Sequence, residues 1–300
     1  MGSSMRLMPI PIRLTRHFPM KCPVSYSSDP VKQVLYSVLA SVFMLLLLPT
    51  YPAWADYLKG FNAHEQGDYA SALREFRSSA EQGDAHAENM LGFIYRFGEG
   101  VPKDKQEAVR WFRKAAERGD LWAQGNLGNM YELGEGVTQD YTQAREWYEK
   151  AAVQGSSSAQ SHLGSFYAKG LGVTQNYTEA RQWYEKAAVQ GNSDAQCGVG
   201  VLYAKGLGVP QDFQAALLWF RRAAAQGNAL ALLNLGIMYA NGQGVPQDFI
   251  QAHKWYNLAG ANGDTRGSEY RDALAMKMTP AQIAEAQKLA REWKPKSELN

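Results

Sequence analysis

Few residues in this chain have the chemistry for catalysis or metal binding, and their spacing limits what they could do. Four histidines lie beyond the amino-terminal region: His64, His86, His162 and His253. A metal site on one helix needs ligands four residues apart, so that both point the same way. No histidine pair has that spacing. His64-Glu65 opens an H-E-x-x-H word, but Asp68 stands where the second histidine belongs. Beyond residue 55 there is no G-x-S-x-G elbow, no S-x-x-K and no K-T-G, so the common serine nucleophile settings are missing. The G-x-G-V segments that start at Gly98, Gly134, Gly170, Gly206 and Gly242 resemble phosphate loops only superficially. They follow helical patterns instead of strands, and lack the third glycine and the lysine. The expectation is no catalytic residue, no metal ligand and no cofactor.

The elements that would have to position such groups repeat every 36 residues. Leu91-Gly92 with Tyr95 returns as Leu127-Gly128 with Tyr131, Leu163-Gly164 with Tyr167, Val199-Gly200 with Tyr203 and Leu235-Gly236 with Tyr239. Trp111, Trp147, Trp183, Trp219 and Trp255 keep the same step, each followed by Phe or Tyr. A fixed period of this size marks a repeat architecture. Within a copy, Ala87, Leu91 and Tyr95 share one face of a first helix, which Gly98 can end in the left-handed conformation. The glycine beside the leucine costs about 1 kcal/mol of helix propensity, which implies close approach of a neighbouring helix backbone. Asp104, Asp140, Asn176, Asp212 and Asp248 are N-cap candidates for a second helix, and Glu107, Gln143, Glu179 and Gln251 sit where a capping box places its partner.

The repeat core is therefore expected at Leu91, Tyr95, Trp111, Leu127, Tyr131, Trp147, Leu163, Tyr167, Trp183, Tyr203, Trp219, Leu235, Tyr239 and Trp255. One hairpin cannot bury its aromatic face alone, so copies must stack. Five copies are expected, at 85–120, 121–156, 157–192, 193–228 and 229–264. Residues 56–84 read as a degenerate amino-terminal cap and 265–300 as carboxy-terminal capping helices, the last with Thr279 as N-cap, Pro280 at its first position and Gln282 completing a box. The fold class follows as all-α, a solenoid of tandem helix hairpins.

Residues 1–33 carry Arg6, Arg13, Arg16, Lys21 and Lys32 against Asp29, and an uncharged apolar run, Val34 to Leu48, comes next. That run is short for a bilayer span of about 20 residues and suits the apolar region of a secretory signal. Ala53-Trp54-Ala55 supplies small residues where a signal peptidase reads them, so cleavage is expected between Ala55 and Asp56, leaving no membrane span; the alternative is an uncleaved anchor. Translation can start at Met1 or Met20. The chain has 31 basic and 29 acidic residues; without residues 1–55 these become 26 and 28, a net charge of −2. That balance gives no cationic field to grip nucleic acid.

The word A-x-x-x-L-G-x-x-Y…G-x-G-V…D-x-x-x-A-x-x-W-x-x-K-A-A, carried by the residues above, resembles the Sel-1-like repeat (SLR) of the tetratricopeptide-type α-solenoids. Lys114, Lys150 and Lys186 match its lysine, while Arg222 and Leu258 depart from it. The resemblance implies a right-handed α-α superhelix whose concave face, lined by first helices, holds a protein or peptide partner. It also implies use as an exported adaptor in the bacterial envelope, in the periplasm of a Gram-negative organism or secreted. An alternative is a cell-wall or β-lactam-related hydrolase, as in cysteine-rich relatives, but only Cys197 remains after cleavage, so that group's disulfide framework is missing.

A partner is expected to meet what varies between copies on first helices. His86, Trp122, Ser158, Asp194 and Leu230 are register equivalents, as are Phe93, Asn129, Ser165, Val201 and Ile237. Large aromatics anchor interfaces, so Trp122, with Asn126 and Asn129 on the following turns, is the first candidate contact. Leu233 and Ile237 are the second.

Overall fold

A computed structural model describes residues 51–294, and the described helices belong to one compact unit, Pro52–Asn300. The signal segment predicted at residues 1–55 lies outside the described residues up to residue 50. Among the described residues there are fourteen α-helices and no strand. Helices α1 (Tyr51–Glu65) and α2 (Tyr69–Glu81) form a hairpin ahead of the five copies. The copies are α3 (Ala85–Phe97) with α4 (Lys105–Glu117), α5 (Leu121–Leu133) with α6 (Tyr141–Val153), α7 (Ser157–Lys169) with α8 (Tyr177–Ala188), α9 (Ser193–Lys205) with α10 (Phe213–Ala225), and α11 (Ala229–Asn241) with α12 (Phe249–Ala261). Helices α13 (Thr265–Ala275) and α14 (Pro280–Glu292) follow. The Ala55–Asp56 bond expected to be cleaved lies within α1, where the Ala53 carbonyl accepts from Ser79 Oγ and Trp54 packs near Tyr57 and His86.

Consecutive helices from α2 to α13 pack against one another, and first helices α7 and α9 also touch directly. Side chains bridge first helices elsewhere too, as Asn126 does to Asn89. The first-helix side is therefore the inner side of the stack. The apolar cores form between copies as well as within them. Ala108, Phe112 and Ala115 of α4 cluster with Ala123, Leu127 and Met130 of α5, and Ala144, Tyr148 and Ala151 of α6 cluster with Ala159, Leu163 and Phe166 of α7. Stacking, not the single hairpin, removes these side chains from water, which is the main stabilising term.

Local chemistry explains why each copy turns where it does. Gly98 ends α3 at φ 76°, ψ 41°, a left-handed conformation that glycine adopts without strain. Asp104 Oδ1 accepts from Gln106 N and Glu107 N. The expected capping boxes at Asp104, Asp140, Asn176 and Asp248 do not form, because the cap N–H is already used: Asp104 N donates to the Tyr95 carbonyl at 2.9 Å, and the equivalent bond recurs in every copy. Only α14, which lacks that loop, has the reciprocal box, between Thr279 and Gln282.

The helical glycine has a different cause from the one expected. A Cβ at Gly92 would lie 2.5 Å from the Phe112 ring, and one at Gly164 2.5 Å from the Tyr184 ring. The close neighbour is thus an aromatic ring of the same hairpin, not a helix backbone. Of these rings Phe112, Tyr148, Phe220 and Tyr256 are buried and Tyr184 is half-buried. The tryptophan one residue earlier is only half-buried at positions 111, 147, 183 and 219, and fully so only at Trp255. Its outer face carries a cation, such as Lys150 Nζ 3.7 Å above Trp147 or Lys186 Nζ 4.0 Å above Trp183, an attraction worth about 0.5–1 kcal/mol at exposed sites. This accounts for the lysine of the repeated word. Where Leu258 replaces it, Lys254 Nζ lies 4.4 Å over the Trp255 ring. The repeated tyrosines are half-buried stitches between copies: Arg77 donates to Tyr95 Oη, Arg113 to Tyr131 Oη and Arg221 to Tyr239 Oη.

Candidate functional site

The inner face is built from register rows that the repeat fixes in place and the sequence then varies. Near the helix starts, Trp122 is 44% exposed and His86 and Leu230 are also exposed. Two turns on, Phe93, Asn129, Ser165, Val201 and Ile237 are half-buried. The amino-terminal half of this face is charged and hydrogen-bonded. Arg96 Nη2 donates to Asn129 Oδ1 at 2.7 Å, and Arg96 and Lys105 both hold Glu135. Burial pushes the Glu135 carboxyl up, but Lys105 and Arg96 outweigh it and the net shift is down. Glu132 is lowered in the same way: burial opposes, while His162 and Tyr148 prevail. The Tyr148 hydroxyl donates to Glu132 Oε2 at 2.7 Å, and the His162 ring stacks on Tyr148 at 4.5 Å with Nδ1 3.1 Å from the same carboxylate. In the carboxy-terminal half the corresponding positions are Ala168, Ala204 and Ala240.

Three of the four histidines join neighbouring units through a carboxylate. His64 Nε2 lies 2.7 Å from Glu99, His86 Nδ1 2.6 Å from Asp120, and His162 Nδ1 3.1 Å from Glu132. The hydrogen bond to Asp120 raises the His86 pKa against the opposing effect of burial. A search for histidines four apart could not find these pairs, because their members are one copy apart in space and 30 to 35 residues apart in sequence. Among the described residues no three His, Cys, Asp or Glu side chains come together as metal ligands would. Cys197 is buried, and burial pushes its thiol up to about 12, which suppresses the nucleophilic thiolate.

The predicted contact residues separate into two groups. Trp122 is exposed near the start of α5, Asn129 is half-buried two turns along the same helix, and Ile237 is half-buried on α11. Asn126 is only 9% exposed and donates to Asn89 Oδ1, and Leu233 is 2% exposed within the core of copies four and five. Both are therefore largely removed from water, Asn126 against the preceding first helix and Leu233 within the core of copies four and five.

The Sel1 repeat family model matches residues 85–120, 123–156, 157–192, 193–228 and 229–264. Among solved structures the chain is similar to c5321, a protective antigen present in uropathogenic Escherichia coli strains displaying an SLR fold, with 34% identity and a TM-score of 0.68 over 88% of this chain. It spans 56% of that protein's length. It is also similar to a Sel1 repeat protein from Oxalobacter formigenes, with 32% identity and a TM-score of 0.68, covering 78% of this chain and 98% of that one. Comparison with curated proteins returns no match.

Proposed function

The chain belongs to the Sel1 repeat family, whose members are typically protein-interaction scaffolds, and on that premise we propose that it is a non-enzymatic adaptor of the bacterial envelope. It binds a protein or peptide partner on the amino-terminal half of its inner face. The observation that carries this reading is Trp122, a large aromatic 44% exposed near the start of a first helix, where the other copies place His86, Ser158, Asp194 and Leu230. Beneath it the Arg96, Asn129, Glu132 and Glu135 network fixes polar groups in place. An aromatic anchor ringed by pre-ordered polar groups is how interfaces concentrate their binding energy.

Export is supported by the basic segment, apolar run and Ala53-Trp54-Ala55 site, and by one relative's being a protective antigen. No described helix is long and apolar enough to cross a membrane. Sequencing the protein recovered from the envelope should give an amino terminus at Asp56.

The partner reading is tested by placing a photo-crosslinking residue at position 122 in cells, with a control at Val153, which is 81% exposed on a second helix. A discrete adduct from 122 alone is expected, and Trp122→Ala should lose the partner with the helical circular dichroism unchanged. Equal adducts from both positions would remove the groove from the proposal. A stoichiometric covalent penicillin label on purified protein would overturn the non-enzymatic reading.

A further inference from the structure

Helices α13 and α14 stand where a sixth copy would be, yet they do not close on one another as the other hairpins do. Helix α14 packs against α12, and a cleft of about 450 Å³ opens between α13 and α14 with α12 as its floor. Register shows why. In each copy the residue eight beyond the second-helix N-cap is the aromatic that docks on the helical glycine, as Tyr256 does on Gly236. Eight beyond Thr279 is Gln287, and one period beyond Leu235-Gly236 is Arg271-Asp272. The stripe that reads Ala252, Tyr256, Gly260 in the fifth copy reads Ile283, Gln287, Arg291 here. The face that every complete copy fills with a ring on a glycine is therefore polar on both sides, and these residues line the cleft.

The floor departs from the pattern too. His253 takes the place of the buried Leu217 one copy earlier; it is 2% exposed, with Nδ1 sealed from water and without a partner among the described residues. Burial, then the nearby Arg271, lower its pKa, so the floor is neutral at pH 7. Arg271 donates to Asn257 Oδ1 at 3.1 Å and to Asp272 Oδ1 at 2.8 Å, which leaves part of a five-donor guanidinium unused. Arg291 makes no hydrogen bond or ion pair with a described residue.

We propose that this cleft binds a small organic carboxylate, held by the guanidinium groups of Arg271 and Arg291 and flanked by the amides of Asn257 and Gln287. Two arginines against Asp272 leave one surplus positive charge, which a monoanion balances. Guanidinium presents paired donors in the plane a carboxylate prefers, and Ile283 offers an apolar wall to the rest of the molecule. The volume lies in the range of small-molecule sites. The site shares no residue with the inner-face contact around Trp122 and stands or falls separately from it.

Isothermal titration of the full chain with benzoate, succinate, inorganic phosphate and, as the uncharged control, benzamide tests the assignment. Benzoate should bind with Kd below about 1 mM and benzamide should not. Arg291→Gln, on an exposed final turn, should weaken benzoate by about tenfold and leave Tm unchanged. Asp272→Gly with Gln287→Phe rebuilds the missing ring-on-glycine contact, and should abolish binding while raising Tm. The proposal is overturned if neither carboxylate binds, if phosphate binds more tightly than benzoate, or if Arg291→Gln binds as the unaltered chain does.

Discussion

Glu88 near the amino-terminal end of the stack and Leu232 near the other end fill the same slot on their first helices, and Gln124, Gln160 and Gln196 fill it between them. In the middle copies the amide closes a clamp. Gln124 Nε2 donates to the Ala116 carbonyl of the preceding copy, which also accepts from Gly119 N, and Gln124 Oε1 accepts from Gln154 of its own copy. Gln160 with Gln190 and Gln196 with Gln226 repeat it. At the first copy the slot is a fully buried carboxylate, with Lys114 Nζ at 2.9 Å and Arg118 Nε at 3.3 Å. At the fifth copy the slot is apolar, and both cations change with it, to Leu258 and Asn262. Each slot is filled, by ion pair, amide clamp or hydrocarbon.

The sharpest way to break the comparison is Leu232→Glu, which puts the amino-terminal charge where its cations are missing. An unpaired buried carboxylate should cost about 4 kcal/mol, read as a loss of urea midpoint, and adding Leu258→Lys with Asn262→Arg should recover much of it. Removing both cations at the other end, Lys114→Ala with Arg118→Ala, strands Glu88 and should cost about 3 kcal/mol. Gln226→Ala removes one donor from the third clamp, and a neutral hydrogen bond predicts about 1 kcal/mol. If Gln226→Ala cost as much as the double substitution at 114 and 118, ion pair and amide would not be equivalent solutions.

The smallest effect separates the two ends by pH. The folded pKa of His86 lies above its ordinary 6.5, so its stabilisation is fully present below pH 6.5 and is lost as pH rises through the raised value. The folded pKa of His253 lies below 6.5, so the unfolded chain takes the proton first and stability at that end falls as pH drops below 6.5. Hydrogen exchange should therefore show α3 and α5 opening more readily at pH 8 than at pH 6, and α12 opening more readily at pH 5.5 than at pH 7.

The helix hairpins, their caps and their five-copy spacing were legible because each rests on local chemistry: glycine at a left-handed turn, a carboxylate at a helix start, a stripe at helical spacing. The amino-terminal hairpin was half legible. Phe76 docks on Gly60 as Phe112 does on Gly92, but the connection is four residues shorter, so Gly60 falls out of the 36-residue register. The burial of Asn126 and Leu233 was not legible, since it depends on contacts between copies, as of Asn126 with Asn89, that periodicity within one helix does not show. The histidine–carboxylate pairs and the glutamine clamps were written in the register as separations near one period, but they join residues on different helices, and periodicity within one helix cannot show them. The cleft at the carboxy-terminal end was visible only as a failure of the pattern at Arg271.

The glutamine clamps make the three middle copies interchangeable at their edges. Excising residues 157–192 would bring Gln196 against the Ala152 carbonyl, where Gln160 sits now, and reproduce the joint that Gln196 makes with Ala188. The length of this protein can therefore change by whole copies in its interior, through duplication or loss of 108 base pairs, without inventing a new interface. Its two ends have no such spare part, and lineages that lengthen or shorten the stack should keep Glu88 with its cations and the Arg271 cleft while the number of glutamine joints between them varies.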